Sequence, residues 1–178
     1  MKPNIHFILS NGAGLHADDL KHLLDKSYES KPSDYGDFIV DKQLSGKRFQ
    51  VYHNPKTGQV VYSHRGTASL QDWYHDFTHS LLNDTSNARF RYAAEAQKRA
   101  YEKYSQMPGV QQHITIGHSL GSKLSQHAAT PDSEILTHNG LVTPYDLFKK
   151  SNPNQVDIRT KSDVVSVLNK NKKLISKL

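Results

Sequence analysis

Gly117-His118-Ser119-Leu120-Gly121 is the stretch on which the reading of this chain turns. Before it, Gln112-His113-Ile114-Thr115-Ile116 reads as a short buried strand, and after it Ser122 to Ala129 can run as a helix. A Gly-x-Ser-x-Gly set between strand and helix is the pattern of a nucleophile elbow. Such a turn is so sharp that its central residue takes a strained backbone conformation. Glycine on either side lets the strand and helix backbones pass without a clash. The serine hydroxyl is then held clear of its own backbone, with the helix N-terminus beneath it. The bland alternative is an ordinary strand-to-helix turn. In a chain with 10 glycines the string alone says little, and its weight comes from the strand and helix around it.

Downstream of the elbow, Glu134 to His138 is the next strand, closed by an Asn139-Gly140 turn. Pro144 to Lys150 reads as a short helix, Asn152-Pro153-Asn154 as a turn and Gln155 to Arg159 as a further strand; Val164 to Leu168 is apolar. Strand and helix alternating in this way imply parallel pairing through crossovers. Upstream, Phe49 to His53 and Gln59 to His64 flank the turn-forming Asn54-Pro55-Lys56-Thr57-Gly58 and predict a hairpin. Asp37 to Leu44 is a third alternating segment, and residues 5–9 a short apolar one. His16 to Tyr28 predicts a helix with Leu20, Leu23, Leu24 and Ser27 on one side. Leu70, Trp73, Phe77 and Leu81 fall on one face of another, over about 69–82. Asn87 to Gln106 predicts a longer helix with Phe90, Ala94, Gln97, Tyr101 and Tyr104 along one side, stopped by Met107-Pro108-Gly109. The expected fold is α/β: an N-terminal antiparallel hairpin entering a mostly parallel sheet with flanking helices, as one domain over residues 1–178.

Composition bounds the function. Leu, Ile, Val and Phe make up 41 of 178 residues, or 23%, just above the roughly 20% below which chains tend to be disordered. With no cysteine there is no disulfide framework and no thiolate metal site. No metal cluster shows in the spacing, and no cofactor is expected. No window approaches the ~18 continuous apolar residues of a membrane span. The N-terminal apolar run is too short for a signal peptide, so the default expectation is a cytoplasmic or virion-associated protein. Asn11-Gly12-Ala13-Gly14 lacks the residues of a phosphate loop and reads as a turn. The formal charge of +6 is concentrated in residues 149–178, which hold eight Lys/Arg and two Asp/Glu. Such a segment is either a solvated tail or an attraction to an anionic membrane surface. No base-reading motif points to specific nucleic-acid binding. Oligomeric state is not legible.

Two separated stretches go beyond the elbow. Val60 to Phe77, with Arg65-Gly66-Thr67-Ala68-Ser69-Leu70-Gln71-Asp72-Trp73 and then Asp76, resembles the class 3 (fungal-type) lipase family. In that family a strand ends in Arg-Gly-Thr/Ser and a Ser-x-x-Asp/Asn-Trp helix follows. Ile116 to Gly121 is similar to the family's elbow, where Gly-His-Ser-Leu-Gly-Gly is usual and Ser122 here replaces the last glycine. Val156 to Val165 is similar to the segment bearing its catalytic acid. The resemblance spans about residues 49–168 and implies an α/β-hydrolase fold and a serine-dependent lipase or esterase acting on lipid esters. Acyl transfer needs a nucleophile, a base, a carboxylate to orient the base, and donors for the oxyanion. Ser119 takes the first role, and Leu120, following it at the start of a helix, donates its backbone N–H. The resemblance implies Thr67 as second oxyanion donor and Asp163 as acid. It also implies a lid over 69–82, whose lipid contacts are Leu70, Trp73 and Phe77; the alternative is a permanently packed surface helix. Each oxyanion donor is worth ~3 kcal/mol in the transition state. His118, inside the elbow, reads as structural.

One element of the pattern is absent. The order of such triads is serine, acid, histidine, yet the 11 histidines run from His6 to His138, all upstream of Asp163. Three readings stay open: a base supplied beyond Leu178 by a longer chain, His138 as a substitute base, or a catalytically impaired relative that binds lipid, an anionic membrane or a protein partner.

Overall fold

The computed structural model describes residues 15–66, 88–140 and 152–158. Along the chain run α1 (Ala17–Lys26), β1 (Ile39–Val40), β2 (Phe49–Asn54), β3 (Gln59–His64), α2 (Ala88–Tyr104), β4 (Gln112–His118), α3 (Leu120–Ala128), β5 (Glu134–His138) and β6 (Gln155–Ile158). Among the described residues these strands form one sheet in the order β1-β2-β3-β4-β5-β6. The first three pair antiparallel and the last four parallel. This is the hairpin entering a mostly parallel sheet that the sequence predicts. The elements expected over 5–9, 69–82, 144–150 and 164–168 lie outside the described residues, as does most of the basic segment.

The hairpin follows from its turn chemistry. The Asn54 side-chain oxygen accepts from the backbone amides of Lys56 at 3.0 Å and Thr57 at 3.3 Å, an Asx turn that reverses the chain. Every residue of β3 is buried, as expected of a strand covered on both faces. Alternate side chains then divide between two cores. Val61, Ile114, Ile116 and Leu136 pack against Leu20, Leu23 and Leu24 of α1, whose apolar stripe repeats at helical spacing. On the other face Phe49, Val51, Val60 and Tyr62 meet Ala96, Ala100 and Tyr104 of α2. Phe90 and Ala93 of α2 pack in turn on Leu124 and Ala128 of α3.

Three expectations are corrected. The segment over 37–44 is a strand only at Ile39–Val40. The Asp41 carboxylate accepts from the amides of Gln43 and Leu44, and Lys103 and Tyr104 reach the same carboxylate from α2, so the chain turns there. The buried stripe of α2 is Phe90, Ala93, Ala96, Gln97, Ala100 and Tyr104, while Tyr101 stays partly exposed. The small alanines are what lie against the sheet and α3. Finally, β4 runs on to His118 and α3 begins at Leu120, so the elbow is a single-residue junction.

Between the sheet and α2 lies a buried polar chain. The Gln97 amide nitrogen donates to Thr115 Oγ1 at 2.8 Å, which leaves its oxygen to accept from His64 Nε2 at 2.7 Å. The Phe49 ring lies 4.9 Å from that of His64. His64 Nδ1 is buried with no hydrogen-bond partner. Burial lowers the His64 pKa from 6.5 to about 4, against the opposing hydrogen bond to Gln97. Between those two values the unfolded chain binds a proton that the folded chain refuses, so stability falls as pH drops from 6.5 to 4. The loss is on the order of 3 kcal/mol for this residue. Burial lowers His53 and His113 as well, with the same sign. Urea unfolding of wild type and His64→Gln at pH 7 and pH 4.5 is expected to show a shallower pH dependence in the variant. Equal slopes would remove His64 from the account.

Candidate functional site

The C-terminal ends of β3, β4 and β5 converge on Ser119. It follows β4 with φ 53° and ψ −121°, outside the regions where most side chains are comfortable. A residue held there stores on the order of 1–3 kcal/mol of backbone strain and persists only where its surroundings over-determine it. Those surroundings are specific. The Ser119 amide donates to the His138 carbonyl at 3.3 Å, tying the elbow to β5. Its carbonyl accepts from the Ser122 amide at 3.1 Å and the Ser122 hydroxyl at 2.5 Å. Ser125 Oγ holds the carbonyls of Ile116 and Gly121, each at 2.8 Å, joining the end of the strand to the first turn of the helix.

The glycines at 117 and 121 make this approach feasible. A Cβ at Gly117 would stand 2.2 Å from the Gly121 carbonyl oxygen, and one at Gly121 would stand 2.3 Å from that of His64. The helix therefore starts in backbone contact with both β3 and β4. Among the described residues the Ser119 hydroxyl forms no hydrogen bond, and the side chain is partly exposed. Leu120 is the first helical residue, so its N–H has no acceptor within the helix and lies at the positive end of the helix dipole. A partly exposed hydroxyl beside such an amide supplies two of the groups that acyl transfer needs, a nucleophile and one oxyanion donor.

The end of β3 forms one wall. Gly66 lies so close to the elbow that a Cβ there would meet the His118 carbonyl oxygen at 2.5 Å and Tyr28 Oη at 2.6 Å. Tyr28 hydrogen-bonds through Oη to His118 Nδ1 at 3.2 Å, and the Arg65 guanidinium lies 5.2 Å from the centre of the Tyr28 ring. Burial pushes the Tyr28 phenol up, against the opposing pull of the Gly66 amide, Arg65 and Arg89. Arg89, in the first turn of α2, donates through Nη2 to the carbonyls of Arg65 at 3.2 Å and Gly66 at 2.9 Å.

Of the residues singled out by sequence, Ser119 and Leu120 stand adjacent at the junction. His138 is brought beside them by register, opposite His118, and its backbone carbonyl holds the Ser119 amide. Its ring stacks on that of His118, with centroids 5.6 Å apart. His118 hydrogen-bonds through Nδ1 to Tyr28 Oη. Thr67, Leu70, Trp73, Phe77 and Asp163 lie outside the described residues. Sequence reasoning passed over Tyr28 and Arg89. The one signal for Arg89 is a cation in the first turn of a helix that carries no acidic residue there. No group of three or more His, Cys, Asp or Glu among the described residues is placed to hold a metal ion.

A mostly parallel sheet flanked by helices, with a strained serine between a central strand and the following helix, defines an α/β-hydrolase-like fold. The chain superposes on a fungal lipase, solved with an inhibitor as a model for interfacial activation, with a TM-score of 0.55. Identity is 14%, and the match covers 86% of this chain and 74% of that one. The native Rhizomucor miehei lipase–propeptide complex aligns with a TM-score of 0.44 at 13% identity, over 70% of this chain and 52% of that one. No protein-family model and no curated protein sequence matches the chain.

Proposed function

We propose that this chain is a serine-dependent carboxylic-ester hydrolase of lipase type, acting on lipid esters through an acyl-enzyme formed at Ser119. The observation that carries the reading is the Ser119 backbone at φ 53°, held by glycine-lined contacts at a strand-to-helix junction. A purely structural turn gains nothing from such strain, whereas a nucleophile gains a hydroxyl held clear of its own backbone at the start of a helix. In this proposal the Leu120 and Thr67 amides receive the oxyanion and Asp163 orients the base. The fungal lipase neighbour adds weight through its fold. Trp73, Leu70 and Phe77 are assigned to the lid and its contact with lipid.

Covalent trapping tests it. A fluorophosphonate ester is expected to add its phosphonyl group, with loss of fluoride, at the Ser119 hydroxyl, and mass spectrometry of the digested protein locates the adduct. An unmodified Ser119 peptide after prolonged exposure would leave the chain as a binding relative of the fold. Register sets His138 opposite His118, beside the elbow. Labelling that proceeds at the wild-type rate in His138→Ala would exclude it as the base.

A further inference from the structure

We propose that Ser122 is a positioning residue that aims the Leu120 amide into the site, an inference that rests on reading Ser119 as an acyl-transfer nucleophile and Leu120 as an oxyanion donor. The Ser119 carbonyl accepts twice from this one residue, from its amide at 3.1 Å and from its hydroxyl at 2.5 Å. A peptide group is planar and trans, so the Ser119 carbonyl and the Leu120 N–H lie in one plane and point opposite ways. Fixing the carbonyl on Ser122 therefore fixes the direction in which the Leu120 N–H leaves the helix. The whole arrangement is contained in the N-cap and first turn of α3.

Serine hydroxyls in helices commonly bond a carbonyl three or four residues back. Here the carbonyl so bonded is that of the strained residue, and an N-cap carbonyl otherwise accepts from helix amides. The added hydroxyl sets the plane of the peptide. It also draws charge onto the carbonyl oxygen, which polarises the N–H at the other end of the same peptide. The hydroxyl is itself confined, because Ser122 is buried and Gly140, after β5, lies against it. A Cβ at Gly140 would stand 3.0 Å from Ser122 Oγ and 3.2 Å from Ser122 Cβ. On the other side of Ser119, its amide donates to the His138 carbonyl at 3.3 Å. The peptides before and after Ser119 are thus both held, and their two planes set its φ of 53° and ψ of −121°. Glycine, usual at position 122 in the lipase elbow that the sequence resembles, has no hydroxyl to offer, so the device belongs to this chain.

The test uses the full chain and Ser122→Ala. Alanine is smaller and a stronger helix former, so the variant is expected to fold. In ¹H–¹⁵N spectra the Leu120 ¹⁵N resonance is expected to move upfield and its proton to exchange faster, while the amides of β2 and β3 hold their positions. An unmoved Leu120 resonance overturns the proposal, whether or not Ser119 proves a nucleophile. Turnover reads the consequence. The variant is expected to lower kcat for p-nitrophenyl butyrate about 5- to 30-fold, short of the ~10²- to 10³-fold of a donor lost outright, with KM changed less than twofold. A kcat within twofold of wild type also overturns it, as does a loss carried by KM instead. A wild type that the fluorophosphonate does not label at Ser119 fails the hydrolase reading and takes the oxyanion role with it. The spectrum then still decides whether Ser122 aims the amide.

Discussion

Ser119→Ala is expected to reduce hydrolysis of p-nitrophenyl butyrate by at least ~10³-fold, to the level left by binding and the oxyanion donors alone. The hydroxyl is the reactive group that the junction presents, and removing it leaves the helix amide, the sheet and the glycine contacts in place. Stability should barely change, because alanine at φ 53° carries the same backbone strain as serine. Ser119→Gly separates the two effects. Glycine is at ease at positive φ, so this variant is expected to lose activity equally while gaining about 1 kcal/mol of stability. Opposite movements of stability and activity at one position are the mark of strain retained for chemistry. Equal hydrolysis rates for wild type and Ser119→Ala would show that the elbow is a turn and nothing more.

The second large effect is on folding. A Cβ at Gly117 would lie 2.2 Å from the Gly121 carbonyl oxygen and 2.4 Å from both its carbonyl carbon and Ser125 Oγ. Two of these three atoms are backbone at the start of α3, so no rotamer change relieves them. The helix has to lift off β4, which parts the Ser125 hydroxyl from the Ile116 carbonyl. Gly117→Ala is therefore expected to cost about 3 kcal/mol or more. For a chain of this size that is a fall in Tm of roughly 6–12 °C. Gly46→Ala is the control, since its nearest neighbour would be Tyr92 Oη at 4.0 Å. Calorimetry giving Gly117→Ala the wild-type Tm would show that the helix and strand tolerate separation.

Much of the fold was legible because its strands are bounded by chemistry local to the chain. Gln59–His64 and Glu134–His138 are found end for end, the first set by the Asn54 turn and the second by Asn139, which takes φ 47°. Periodicity missed the turn at Asp41 because an Asx turn onto Gln43 and Leu44 breaks the alternation, and the groups that hold its carboxylate from α2, Lys103 and Tyr104, lie about sixty residues away. It read the elbow as a sharp strained turn but ended the strand at Ile116 and began the helix at Ser122, whereas the two elements run on until only Ser119 separates them. In the site, Ser119 and Leu120 were legible through their glycine neighbours. Arg89 and Tyr28 were not, since each acts on a part of the elbow region 23 or more residues distant. A long-range side chain gripping a backbone carbonyl leaves no spacing to read.

The strand order has a consequence for how the chain is made. Each described strand pairs with its neighbours in sequence, so the sheet is assembled in the order in which its parts leave the ribosome. The hairpin of β2 and β3 is available early, but β3 waits for β4 across residues 65–111. At 5–20 residues per second that wait lasts roughly 2–10 s. Throughout it, the edge Gln59-Val60-Val61-Tyr62-Ser63-His64 has its outer backbone groups unpaired, the kind of edge that recruits foreign strands. The arrival of residues 112–118 ends that exposure and lays down the last strand residues before Ser119. The same step of synthesis that seals the nascent sheet thus also builds the junction on which its chemistry depends.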